Sequence, residues 1–175
     1  TSLHVSCVAG LREHYGLPAH PVKVWEPYQM LGEVEDDLAQ ALGTDCVPAN
    51  GRGTMFGFPN EGWREWKTPW GQIVLVPADF RTTLDAKGDI YIYPEGDLSA
   101  PASGHMPANG YFFDAIVRQD PIDEDHLYAA DNCEEFKPLD AADIAHWQTE
   151  FARVQGETRA VVSGIGGTGF GDIAL

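Results

Sequence analysis

A glycine run near the end of the chain has the spacing of a known ligand-binding motif. Gly164, Gly166 and Gly169 follow a predicted strand, as in a dinucleotide fingerprint, where backbone N–H groups hold a pyrophosphate at the start of a helix. The confirming features are a following helix and an acidic residue about 20 positions on, and both fall beyond Leu175. The run is better explained as a loop whose glycines let it pass close to a ligand or another backbone.

Metal and acyl-transfer chemistry have little support. His4 and Cys7 are three residues apart on a predicted helix, so they share a face. A zinc site needs three or four ligands, and no second His/Cys cluster accompanies this pair. We therefore expect Cys7 in the core, His4 near a helix N-terminus and no metal. No Gly-x-Ser-x-Gly motif occurs, so a serine nucleophile on an elbow is not expected.

The charge excludes several partners. The chain has 175 residues, 11 basic and 27 acidic, and a net charge of −16. Nucleic acid and anionic membrane surfaces would be repelled. No apolar run approaches the ~20 residues that span a bilayer. The three cysteines are sparse and odd in number, which favours a reducing cytoplasm over a disulfide framework.

Two predicted helices and two predicted strands make up the first part of the chain. Apolar spacing predicts helices over residues 2–16 and 29–42, and strands over 22–25 and 44–48. The acidic residues around Asp36 and Asp37 are interpreted as a solvated helix face. Helix, glycine and strand in this order are typical of an α/β unit.

The middle of the chain has a different pattern. Residues 72–77, 79–84 and 89–93 predict an antiparallel meander, with a turn at 85–88 in which Gly88 has positive φ. Trp63, Trp66 and Trp70 come just before it. They are interpreted as a local aromatic core, with a stacking platform for an aromatic ligand as the alternative.

The last helix and strand are predicted from local signals. Asp140 begins a helix with Asp143 as a capping-box partner, and the apolar face of this helix is Ile144, Trp147, Phe151 and Val154. Residues 159–163 are predicted to form a strand that leads into the glycine run.

Several segments, in this order, resemble the uroporphyrinogen decarboxylase superfamily. The resemblance covers nearly the whole chain. The segments are residues 1–4 (TSLH), 11–18 (LREHYGLP), 29–38 (QMLGEVEDDL), 43–47 (GTDCV), 68–71 (TPWG), 92–97 (IYPEGD), 110–114 (GYFFD) and 163–171 (SGIGGTGFG).

The resemblance implies an α/β fold that is part of a (β/α)8 TIM barrel, with an antiparallel β insertion at about 53–121. A full barrel needs roughly 250 residues. Residues 1–175 are therefore expected to be a single incomplete domain that lacks the first strand and the later half. Such a chain alone is expected to be inactive, and to pair with another copy or belong to a longer chain.

The superfamily contains decarboxylases of porphyrin biosynthesis and zinc-dependent, corrinoid-linked methyltransferases. The decarboxylases have an aspartate beyond the second strand that accepts pyrrole N–H bonds. Arg52 falls near this place, and guanidinium has only donors. The resemblance thus favours a methyltransferase or demethylase acting on a small methylated compound. The alternatives are a uroporphyrinogen decarboxylase and a non-catalytic binding module.

The cofactors implied by the resemblance are a corrinoid and zinc, and the partner that it implies is a corrinoid protein. The zinc ligands of the methyltransferases would lie beyond Leu175. The substrate would be a small molecule, and its binding residues are expected at the mouth of the barrel. These candidates are His4, Asn50, Arg52, Gly166 and Thr168, with Phe112 in a loop over the mouth.

The loop at residues 94–119 has two interpretations. Its prolines and glycines make it costly to order unless its three adjacent rings, Tyr111, Phe112 and Phe113, are buried. The favoured interpretation is a structural clasp on the meander. The alternative is a lid that excludes water from the substrate.

Overall fold

The computed structural model describes residues 3–117, 125 and 139–164. The chain divides into two units with separate hydrophobic cores. Unit 1 comprises Thr1–Gly43 and Gly53–Val117, and unit 2 comprises Thr44–Arg52 and Arg118–Leu175.

The helices and strands of the described residues follow one another along the chain. They are β1 (Leu3–His4), α1 (Val5–His14), β2 (Val22–Glu26), β3 (Leu31–Gly32), α2 (Asp36–Leu42), β4 (Cys46–Ala49), β5 (Arg64–Lys67), β6 (Ile73–Val76), β7 (Thr82–Leu84), β8 (Ile90–Ile92), a 3-10 turn (Pro94–Gly96), β9 (Gly104–Met106), β10 (Asp114–Ala115), α3 (Ala141–Val154) and β11 (Ala160–Ser163).

A five-stranded mixed sheet in the order β1–β3–β2–β6–β5 forms one layer of unit 1. Helix α1 packs on it through Val5 and Val8, which are buried. Gly32 makes the close approach possible, because a Cβ there would lie 2.7 Å from Cγ1 of Val22 and 3.0 Å from Cγ2 of Val8. The helix therefore lies directly over the β2–β3 pair.

A four-stranded antiparallel sheet in the order β10–β9–β8–β7 forms the second sheet of unit 1. The predicted hairpin turn is confirmed: the N–H of Gly88 donates to the carbonyl of Asp85, and Gly88 has a φ of 88°. Phe56, Phe80 and Phe113 pack edge to face in the core of the unit.

Unit 2 has one helix and a parallel strand pair among its described residues. Strand β4 pairs in parallel with β11, and α3 covers β4 by burying Trp147 and Val154. The predicted capping box is confirmed, because the Asp140 carboxylate accepts from the N–H of Asp143 and the Asp143 carboxylate accepts from that of Asp140.

The prediction of a partial (β/α)8 barrel is wrong. Antiparallel pairing predominates in the described residues, and no barrel closes there. A barrel strand must have a parallel neighbour on each side. Strand β2 instead has the antiparallel strand β3 on one side, and on the other side β6, which belongs to the predicted insertion.

The helix predicted over residues 29–42 is shorter than expected, because a tight turn and a short strand take up its first part. The Glu26 carboxylate accepts from the N–H groups of Tyr28 and Gln29, and Met30 has a φ of 53°. This turn returns the chain as β3, so α2 begins only at Asp36. The first helix is also shorter than predicted, since β1 precedes it and His4, rather than Ser2, is its N-cap.

Two smaller predictions are also wrong. Cys7 is exposed rather than in the core. The three tryptophans do not form one cluster. Trp66 packs on Phe80, with ring centroids 5.1 Å apart, whereas the Nζ of Lys23 lies over the Trp63 ring. Trp70 contacts other rings, which belong to the site below.

Candidate functional site

Three rings from distant parts of unit 1 meet at one point, and we call them the aromatic triad: His4, Trp70 and Tyr111. The Trp70 centroid lies 5.3 Å from that of His4 and 5.2 Å from that of Tyr111. The His4 and Tyr111 centroids are 6.1 Å apart, nearly edge to face. The triad joins the start of α1, the turn between β5 and β6, and the segment before β10.

His4 is fixed by both of its ring nitrogens. As the N-cap of α1, its Nδ1 accepts from the N–H of Ser6 at 3.2 Å. Its Nε2 lies 2.9 Å from the carbonyl oxygen of Tyr111. A backbone N–H only donates and a carbonyl only accepts, so the ring is the neutral tautomer with hydrogen on Nε2. Both nitrogens are therefore committed to structure rather than to catalysis.

Gln72 holds Trp70 against the start of α1. Its Oε1 accepts from Nε1 of Trp70 at 2.9 Å and from the hydroxyl of Ser6 at 3.0 Å. Its Nε2 donates to the carbonyl of Val5. Because one amide makes three hydrogen bonds, the indole has a defined position and its N–H is already used.

A cavity of about 150 Å³ adjoins the two larger rings of the triad. Its lining residues are Pro69, Trp70, Ala108, Asn109, Gly110 and Tyr111. The cavity is about half open to solvent, and its volume is about that of a cavity that accepts a benzene molecule. The site therefore accommodates one ring or one compact branched group.

Asp89 supports the wall of the cavity formed by residues 108–110. Its Oδ1 accepts from the N–H of Ala108 at 2.9 Å, and its Oδ2 lies 3.1 Å from Nε2 of His105. These bonds, with His105 the larger cause, hold the pKa of the Asp89 carboxyl below its usual value. The N–H of Gly110 closes the turn by donating to the carbonyl of Pro107.

The described lining of the cavity carries no charged side chain. None of the six residues that line it in the described structure carries a carboxylate, an amine, a guanidinium, an imidazole or a thiol. Tyr111 contributes the sole hydroxyl of this lining, so general acid–base chemistry has no obvious group there. Among residues 3–117, 125 and 139–164, no three His, Cys, Asp or Glu side chains are placed to hold a metal ion.

The residues expected at one barrel mouth belong to different units. His4 and Phe112 lie in unit 1, and Asn50 and Arg52 lie in unit 2. Gly166 and Thr168 lie outside the described residues. His4 is in the aromatic triad, but Phe112 is not among the lining residues, although it follows Tyr111 directly.

Asn50 takes part in a polar cluster at the end of β4. Its carbonyl accepts from Nε2 of His146 at 2.9 Å, and its N–H donates to the Glu150 carboxylate. Hydrogen bonds from Arg153 are the main reason that the pKa of Glu150 is lowered. Arg153 also donates to the carbonyl of Pro48, so the cluster fastens α3 to β4.

The loop over residues 94–117 divides its rings between two roles. Phe113 is fully buried against Phe56 and Phe80, which agrees with the clasp interpretation. Tyr111 and Phe112 are each 53% exposed, and only Tyr111 borders the cavity.

Sequence reasoning missed Arg12, which is 3% exposed. Its guanidinium binds Asp37 through two nitrogens, at 2.9 and 2.8 Å, and Glu35 at 3.0 Å. Asp36 and Asp37 are exposed, as the interpretation of a solvated helix face expects, but Asp37 also binds this buried guanidinium. A usable signal was present, because positions 5, 8 and 12 share one face of α1 and the first two are valines.

No protein-family model, no curated protein and no solved structure matches the chain. In the part of the chain that the structure describes, no helix is both long and apolar enough to cross a bilayer.

Proposed function

We propose that this chain binds a small organic ligand in the aromatic cavity of unit 1. The observation that carries the proposal is the cavity of about 150 Å³ walled by Trp70 and Tyr111. The Trp70 indole is held by Gln72, and the backbone of Tyr111 is held through its carbonyl by His4. A preorganised aromatic wall binds a ligand with little loss of side-chain entropy.

We further propose that the binding serves an enzyme of the uroporphyrinogen decarboxylase superfamily that transfers a methyl group to or from a corrinoid. The ordered sequence segments support this reaction class, whereas the sheet arrangement, which is not that of a (β/α)8 barrel, counts against it. The ligand of the cavity is then the small methylated compound. The sparse cysteines favour a cytoplasmic location for such an enzyme.

The described residues do not themselves fit the metal or the corrinoid. They contain no group of three or more His, Cys, Asp or Glu side chains suited to a metal, and both nitrogens of His4 are engaged. A cavity that holds one six-membered ring is too small for a tetrapyrrole-sized macrocycle. No reaction step is therefore assigned to residues of this chain.

A non-catalytic binding module is the second candidate, and one observation favours it. The described lining of the cavity has no acid or base beyond a tyrosine hydroxyl. Porphyrinogen decarboxylation has less support, because the carboxylates of such a substrate need cations. The lining offers none, and Arg12 is already bound to Glu35 and Asp37.

The test is ligand binding observed at the Trp70 indole. A ¹⁵N-labelled sample is titrated with small methylated and aromatic compounds, and the indole N–H signals are assigned with Trp70→Phe. We expect the Trp70 signal to shift saturably with one class of compound. Tyr111→Leu should abolish the shift, since the wall is lost. Phe112→Leu is the matched control, because Phe112 is adjacent and equally exposed but does not line the cavity.

Methyl transfer is tested separately with cob(I)alamin, the reduced corrinoid without a methyl group, as acceptor and the compound that binds as methyl donor. Demethylation of that compound with formation of methylcobalamin by the full-length protein supports the reaction class. Ligand binding with no methyl transfer by the full-length protein would favour the binding module. A folded protein whose Trp70 signal shifts with no compound would refute the binding proposal.

A further inference from the structure

We infer that the aromatic cavity takes a methylated ammonium group, that is, a small organic cation with several N-methyl groups. The inference rests on the proposed binding function and names the chemical class of its ligand. It follows from the rings, the uncharged lining and the charge of the whole chain.

The rings supply the attraction. Trp70 and Tyr111 wall the cavity with planes inclined at 32°, and their centroids are too close for a ligand to lie between them. A ligand must therefore rest against the open side that the two rings share. Indole and phenol faces carry partial negative charge and attract cations, with Trp the strongest of the aromatic side chains.

The remaining lining suits methyl groups and leaves the cation without a competitor. Pro69, Ala108 and Gly110 are compact lining residues without a charged side chain. No lysine or arginine lies in the described lining. The third ring of the triad, His4, is neutral in this arrangement, since one nitrogen accepts and the other donates. A methylammonium group thus meets no positive charge at the rings.

The net negative charge of the molecule favours a positively charged ligand. With 11 basic and 27 acidic side chains, the chain has a field that raises the local concentration of cations and repels anions. A carboxylate or phosphate in the cavity would oppose this field and would find no cation in the described lining. A neutral aromatic ring fits the volume of the cavity, but the negative charge of the chain does not strengthen its binding.

The experiment compares choline with 3,3-dimethylbutan-1-ol, its uncharged isostere, in which carbon replaces nitrogen. Both are titrated into the intact chain at physiological salt, and the Trp70 indole N–H shift gives the dissociation constants. We expect choline to bind at least about fivefold more tightly, the size of a partly desolvated cation–π contact. Tyr111→Leu should remove this preference, whereas Tyr111→Phe and Phe112→Leu should keep it.

Each outcome decides the question. If the isostere binds as tightly as choline, the cation inference is wrong while the binding function stands. If choline binds equally to wild type and Tyr111→Leu, the attraction comes from the general negative field and the inference is wrong. If neither compound shifts the Trp70 signal and a neutral aromatic compound does, the cavity binds a ring instead. If no compound shifts it, both proposals fail.

Discussion

Arg12 combines burial with four hydrogen bonds at the junction of α1 and α2. Besides the carboxylates of Glu35 and Asp37, it donates from Nε to the carbonyl of Pro18. The pKa of Arg12 is raised and that of Asp37 is lowered, both mainly by the hydrogen bonds between them. The bidentate geometry offsets the desolvation of the guanidinium.

Replacing Arg12 with Met should destabilise unit 1. The change removes four hydrogen bonds, but the carboxylates it leaves are partly exposed and can be hydrated. We therefore expect a loss of about 1–3 kcal/mol in the free energy of unfolding, measured by urea denaturation. Lys67→Met, on the exposed strand β5, is the control and should change it by less than about 0.5 kcal/mol. An Arg12→Met protein as stable as wild type would mean that the cost of desolvating the guanidinium cancels the stability gained from its hydrogen bonds.

Asp89 makes the stability of the cavity wall depend on pH. Its folded pKa lies below its ordinary value of 3.8, with the His105 hydrogen bond as the main cause. Ionised Asp89 therefore contributes stability that is fully present above that ordinary value and is lost as the pH falls through the folded pKa. We expect Asp89→Asn to lower the melting temperature near neutral pH, and the difference from wild type to shrink below about pH 4.

Melting curves of both proteins between about pH 3 and 7 provide the measurement. Asp114→Asn is the control, because Asp114 is an exposed carboxylate on strand β10, which β9 separates from β8. A difference between wild type and Asp89→Asn that grows on acidification would contradict the assigned direction of the Asp89 shift.

At the scale of elements, two glycines have opposite surroundings. Gly10 lies in α1 with no atom within 4 Å of a built Cβ. A Cβ on Gly104 in β9 would meet Cγ2 of Ile92 at 2.8 Å and Cζ of Phe56 at 3.3 Å. Gly104 thus lets β9 lie flat on the aromatic core, whereas Gly10 only weakens its helix.

Substituting alanine at the two positions should move stability in opposite directions. Gly10→Ala is expected to stabilise by about 0.5–1 kcal/mol, because alanine loses less backbone entropy in a helix. Gly104→Ala is expected to destabilise by about 1–3 kcal/mol through overpacking. The two variants serve as each other's control in urea denaturation. A stable Gly104→Ala protein would show that β9 can shift away from the core.

Strand β11 is where self-association should be tested. All four of its residues are exposed, including Val161 and Val162, and its partner in the described structure is β4 alone. Exposed strands with apolar side chains promote pairing between chains. We expect concentration-dependent association in sedimentation velocity, reduced by Val162→Lys. A monomer at all concentrations would contradict the expected oligomer.

The elements predicted well are those whose signals are local. The capping box of Asp140 and Asp143 and the turn at Gly88 each lie within four residues, so their chemistry can be recognised in the sequence. Strand β3 was missed because Leu31, Val34 and Leu38 fit a helical period. Its structure is decided by the contact of Gly32 with Val22 and Val8. These residues are too far apart in the sequence for a local pattern to reveal the contact.

At the scale of the whole molecule, the site depends on contacts between residues that lie still further apart in the sequence. His4 and Tyr111 are 107 residues apart, and Trp70 reaches them through Gln72. From the residue types alone, we could consider a ligand platform at Trp70 and a binding role for His4. The meeting of the three rings depends on the order of strands in the mixed sheet, which the expected barrel did not contain.

The excess of negative charge should make the stability of the molecule depend on salt. At a net charge of −16, repulsion among acidic side chains opposes the folded state, and salt screens it over about 10 Å at 0.1 M. Raising NaCl from about 20 to 500 mM at pH 7 should therefore raise the melting temperature. Relief of about 1 kcal/mol corresponds to about 2–4 °C in a chain of this size.

The same titration at the isoelectric point, near pH 4.5, is the internal control for this prediction. With the net charge close to zero, the repulsion is absent, so added salt should give little or no increase there. A melting temperature that falls with salt at pH 7 would mean that ion pairs such as Lys23–Glu33 and Arg153–Glu150 outweigh the repulsion. Exposed pairs contribute about 0–1 kcal/mol each, too little to balance an excess of sixteen negative charges.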